Sequence, residues 1–147
     1  MPTLWNADDR ASLLARFARL TPESTPRWGK FTASRMVTHI TDSVRSSLGE
    51  LHVKPMRGPL GVWPLNTLVM DYLPWPKSAP TAPELIARTP VDWPAELQQL
   101  QEAFDRFGAS QPTGDWPRHA AFGHIGPDGW GRLMYRHTDH HLRQFGA

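Results

Sequence analysis

His137 and His141 stand four residues apart in the closing segment Gly131-Arg-Leu-Met-Tyr-Arg-His-Thr-Asp-His-His-Leu-Arg-Gln-Phe145. Four residues on a helix is about one turn, so both imidazoles share a face. Trp130, Leu133, Met134 and Phe145 fall on that face, and Arg132, Arg136, Asp139 and Arg143 on the other. The pattern therefore aims both rings at the interior. Imidazole is a good ligand for divalent transition metals, and a helix pair at this spacing can share one ion. The pair also fits the first and last positions of a zincin motif, but that motif needs Glu after the first His and this chain has Thr138. The competing explanation is a polar core. Burying two imidazoles without partners costs roughly a few kcal/mol, so the pair asks for something to satisfy it.

The elements that must hold these residues read as helices. The first spans Ala7 to Leu20, with Asn6 as cap, Asp8 and Asp9 at its positive end, and Leu13, Leu14, Phe17 and Leu20 as its apolar stripe. The second spans Ala33 to Leu48, capped by Thr32 and ended by Gly49. Its stripe is Met36, Val37, Ile40, Val44 and Leu48, with His39 at the margin. The third long helix spans Pro94 to Phe107, with Asp92 as cap and Gly108 as stop. The last runs from about Pro127 to Phe145, stopped by Gly146. Between the second and third lies a connector rich in Pro and Trp, with a short helix at Leu65 to Tyr72. It is expected to cover one end of the core and to pack Trp63, Trp75 and Trp93. Four main helices and one long connection predict an all-α, four-helix bundle in a single domain, 1–147. In such a bundle inward residues from different helices meet, which brings His39 to His137 and His141. His39 alone would equally read as a hydrogen-bonded helix residue.

Composition narrows the chemistry. The chain has 147 residues, 39% of them hydrophobic, enough for one real core. It contains no Cys, which removes disulfides, thiolate ligands and a cysteine nucleophile. A formal charge of +2, with Arg scattered over helix faces, argues against nucleic acid. No apolar run approaches a membrane span, and the first residues do not read as a secretory signal. The expected location is the cytoplasm.

Three stretches carry a family likeness. They are Trp28-Gly-Lys-Phe-Thr-Ala-Ser-Arg-Met-Val-Thr-His39-Ile-Thr-Asp42, His119-Ala-Ala-Phe-Gly123, and Trp130 to Gln144 with its His-x-x-x-His followed by Gln. The chain resembles the DinB-like superfamily of metal-dependent bundle proteins, which includes the bacillithiol and mycothiol S-transferases, and looks closest to a branch of undefined function. The resemblance implies an up-down-down-up four-helix bundle. It also implies a site for nickel, zinc or a similar divalent ion, held by His39, His137 and His141. Such bundles are often homodimers. The chain departs from the pattern at Leu142, where many members have a basic residue, and in its long connector.

Four further residues stand near this set. Asp42, one turn beyond His39, could orient that imidazole or pair with Arg45. His140 could support the site or be partly exposed. Gln144 points inward and could hold a water or ligand, or satisfy backbone near the helix end. His119 could approach the ion, or bond to backbone as a loop histidine. The expected function is a metal-dependent enzyme acting on a small molecule, a thiol S-transferase or hydrolase. The alternative is a non-catalytic, stress-associated bundle that binds a ligand or metal.

Overall fold

The computed structural model describes all residues, 1–147, and is all-helical, with five helices and no strand. The helices are α1 (Ala7–Phe17), α2 (Ala33–Ser47), α3 (Leu65–Thr67), α4 (Trp93–Ala109) and α5 (Gly126–Gln144). Three of the four long ones start at the caps expected from sequence. Asn6 accepts from the Asp8 and Asp9 amides, Thr32 from Arg35 and Asp92 from Ala95. Each side chain thereby satisfies amide groups that have no partner inside the helix. α5 begins at Gly126 with Pro127 in its first turn and has no side-chain cap.

α2 is the central element. It packs on both α4 and α5, while α1 packs on α5 and α4. Met36, Val37, Ile40 and Val44 join Leu13, Phe17, Leu100, Phe104, Phe107, Trp130, Leu133, Met134 and Leu142 in one core. Burial on α2 goes well beyond its apolar stripe, since Thr38, His39, Thr41, Asp42, Ser43 and Ser47 are buried too. Its hydroxyls satisfy themselves locally: Thr41 donates to the Val37 carbonyl, Ser43 to that of His39 and Ser47 to that of Val44. α4 and α5 cover most of this helix, and the connector adds the Leu85 carbonyl against His39 and Arg88 against Asp42.

Several boundaries differ from the sequence expectation. α1 stops at Phe17, and a turn closed by the Leu20 amide on the Phe17 carbonyl swings Leu20 into the core. Gly108 does not end α4, which continues to Ala109. A Cβ at Gly108 would collide with the Arg10 guanidinium, which donates to the Leu4 and Trp5 carbonyls. This glycine makes room for a tie between α4 and the N-terminal segment. The short helix at 65–72 is a single α turn followed by a π turn over Leu68–Tyr72. The carbonyls of Val69, Met70 and Leu73 there accept from Arg136 of α5, and Asp71 is gripped by Arg132. Trp75 and Trp93 pack against the core as expected, but Trp63 is 76% exposed. No helix is long and apolar enough to cross a membrane.

Candidate metal centre

α2 contributes His39, and α5 contributes His137 and His141. One ring nitrogen from each lies within 4.8 Å of the others. The ring centroids are 4.8–5.0 Å apart, all edge-on. His39 and His141 are buried and His137 is half-buried.

The orientation of two of the rings is set by backbone carbonyls, directly for His39 and through the Gln144 side chain for His141. His39 Nδ1 is 3.1 Å from the Leu85 carbonyl oxygen. A carbonyl can only accept, so Nδ1 carries the proton and Nε2 keeps its lone pair. Gln144 Nε2 donates to the Trp28 carbonyl at 2.8 Å, which turns Gln144 Oε1 toward His141 Nδ1, 2.7 Å away. The same logic puts a proton on His141 Nδ1 and leaves its Nε2 free. Gly29 permits this relay. It sits at φ +80, and a Cβ there would meet Gln144 Nε2 at 2.6 Å.

The third ring closes the cluster. His137 Nε2 lies 3.0 Å from His39 Nε2. Two lone pairs at that distance repel, so without an ion His137 must donate its Nε2 proton to His39. An ion held there would take the Nε2 lone pairs of both rings, and the His137 proton would then sit on Nδ1. Two nitrogens each about 2.1 Å from one ion lie about 3.0 Å apart at a right angle and about 3.4 Å apart at the tetrahedral angle. The observed spacing of this pair suits a shared ion, and the donor set suits a borderline divalent metal.

Electrostatics favours the neutral, ligating form. Burial holds His39 below its ordinary value, although the Leu85 carbonyl and Asp42 pull the other way. His137 is pushed well down by burial and then by His39, His141 and His140. His141 is lowered to about 3, first by burial and then by His39.

The four neighbouring candidates divide. Gln144 does hold a group in the site, but that group is the His141 ring rather than a water. Asp42 does not reach His39. It accepts from Arg45 at 3.2 Å and from Arg88 at 3.3 Å, because Leu85 already occupies His39 Nδ1. His140 sits half-buried at the rim, 5.8 Å from the Trp28 ring and 5.9 Å from Trp75. His119 stands apart from the triad. Its Nδ1 accepts from the Ala121 and Phe122 amides, its ring packs on Trp130, and burial lowers it to about 4.

Aromatic rings wall the triad. Phe31 lies 5.2 Å from His39 and 5.5 Å from His141, and Trp75 lies 6.0 Å from His137. Lys77 stands over the Trp28 ring and Arg136 over Trp75. Sequence reasoning did not single out the Leu85 and Trp28 carbonyls, because backbone groups carry no residue-type signal. The Trp28-Gly29 pair was visible only as part of a motif.

A family model described as Protein of unknown function (DUF1569) matches residues 6–147. The chain belongs to this family. No curated protein and no solved structure matches it.

Proposed function

We propose that the protein is a metal-dependent enzyme of the DinB-like type, with a divalent ion, nickel or zinc, held by His39, His137 and His141. The observation that carries this reading is the convergence of three neutral imidazoles, two of them with tautomers set by Leu85 and by Gln144, on one buried point with no carboxylate among them. The arrangement of α1, α2, α4 and α5 is read as the up-down-down-up bundle of that superfamily. An ion on three neutral ligands keeps its full charge and open positions, and so favours an anionic thiolate or hydroxide at neutral pH. The chain has no Cys, so any thiol comes from the substrate. Phe31 and Trp75 pack on the triad rings, Trp28 packs on the neighbouring His140, and the Lys77 ammonium over Trp28 adds positive charge at the rim. These features suit transfer to or hydrolysis of a small molecule that bears a thiol or another anionic head. The proposed setting is a cytoplasmic homodimer.

Metal analysis of untagged protein tests the proposal. One equivalent of nickel or zinc should be bound by the native chain and lost in His137→Ala. Failure of the native chain to bind either ion on addition would overturn it. Turnover of thiol conjugates or hydrolysable esters, abolished in His39→Ala, separates an enzyme from a bundle that only binds metal.

A further inference from the structure

Between the connector and α2 lies a second buried polar cluster that the metal reading leaves unused. Glu96 of α4 is fully buried and Asp42 of α2 is 3% exposed. Arg88 of the connector bridges them. Its Nη1 donates to both Glu96 oxygens, at 3.0 and 2.9 Å, and its Nε lies 3.3 Å from both Asp42 oxygens. Glu96 also accepts from the Val91 amide at 3.0 Å. This clamp fixes the strand of connector that runs from Pro83 to Val91. Leu85, three residues before Arg88, presents the carbonyl that orients His39. Ile86, between them, is tied to α2 through Arg35.

We infer that Arg88 is a positioning residue for the metal centre: by locking the 83–91 strap to Asp42 and Glu96, it holds the Leu85 carbonyl against His39 Nδ1 and so keeps His39 Nε2 aimed at the other two imidazoles. Asp42 then acts on His39 from one helical turn away, through Arg88 and the strap rather than by direct contact. The two α5 ligands do not depend on this path. His141 is oriented by Gln144 and the Trp28 carbonyl, on the other side of the triad. Partners that orient a metal-bound imidazole typically change metal affinity 10–100-fold when removed. The guanidinium fork matters as well as its charge, since it reaches two carboxylates at once.

The inference rests on the proposed metal site, but its decisive readout does not need metal. Nitrogen-15 spectra of histidine-labelled, metal-free protein report which ring nitrogen carries the proton. In the native chain both His39 and His141 should show a protonated Nδ1 and a bare Nε2. Arg88→Lys keeps a charge but loses the fork. The triple variant Asp42→Asn, Arg88→Met, Glu96→Gln removes the clamp without stranding a buried charge. In both, the His39 signals should move toward a mixture of tautomers while those of His141 stay, and nickel affinity should fall about 10-fold. Unchanged His39 signals, or equal changes at His39 and His141, would overturn the inference. A native chain that takes up neither nickel nor zinc would instead remove the proposed function, and the His39 signals would still decide the role of Arg88.

Discussion

Two buried polar clusters grow from one helix, a single turn apart, and they are built on opposite terms. At Asp42 the charges are answered from within: Arg88 and Arg45 meet Asp42, and Arg88 and the Val91 amide meet Glu96. Of the donors and acceptors there, Arg88 Nη2 alone lacks a partner. At His39 the histidines turn ring nitrogens toward one another with no acid and no internal cation among them. Apart from that one N–H group, the first cluster is closed as a piece of structure. The second is complete only with a proton shared between His39 and His137, or with an ion from outside. Burial alone therefore does not mark a site; unmatched lone pairs at a shared point do.

Acid should break the comparison most strongly. The folded state holds His39, His119, His137 and His141 below the ordinary value of 6.5, with His141 at about 3 and His119 at about 4. As pH falls below 6.5 the unfolded chain takes up protons that the folded chain refuses. Stability is full above that value and is lost as pH drops toward the folded values, at about 1.4 kcal/mol per pH unit for each such group. Urea midpoints measured from pH 7.5 to 4.5 should fall steadily; a flat profile would mean these imidazoles are not held neutral.

Glu96→Ala should come next, because it empties a fully buried position and takes the acceptors from both Arg88 Nη1 and the Val91 amide. The expected loss is about 3 kcal/mol of unfolding free energy, read by chemical denaturation. His137→Ala sharpens the contrast from the other side. It should remove metal affinity by 100-fold or more while leaving the metal-free protein folded, as titration with a chelator competitor and circular dichroism can show. A large loss of metal-free stability would mean that the triad is ordinary core.

Gln144→Ala is smaller. It frees the His141 ring and strands the Trp28 carbonyl, so metal affinity should fall about 10-fold and stability by about 1 kcal/mol. Equal metal affinity to the native chain would show that Gln144 serves only the backbone. Arg143→Ala removes an exposed partner of Asp139, a residue that Arg16 still holds. The denaturation midpoint should move by less than about 0.5 kcal/mol.

Much of this is legible in the amino-acid sequence. Caps at Asn6, Thr32 and Asp92 are local chemistry, since a short oxygen-bearing side chain meets amides two or three residues on. Helical spacing put His137 and His141 on one face, and the apolar stripes pointed that face inward. What went astray was of a different kind. Gly108 reads as a helix stop because glycine usually serves as one. Only the passage of Arg10 across α4 makes it a spacer. Asp42 reads either as a partner for His39 or as one for Arg45, and only the fold chooses: the ring nitrogen faces Leu85, while Asp42 takes Arg45 and, unforeseen, Arg88. The exposure of Trp63 was equally hidden, for an aromatic residue in a connector carries no local sign of which side it will face.

Composition alone removes cysteine ligands and nucleophiles, and the helices and the pairing of two imidazoles on the last one follow from residues within a few positions of one another. The fold brings His39 to the other two, as the bundle reading expects, and it alone sets which ring nitrogens are bare and puts Arg88 behind one of them. Those depend on carbonyls and carboxylates from segments 46 to 116 residues away along the chain. A backbone carbonyl looks the same at every residue until the fold places it.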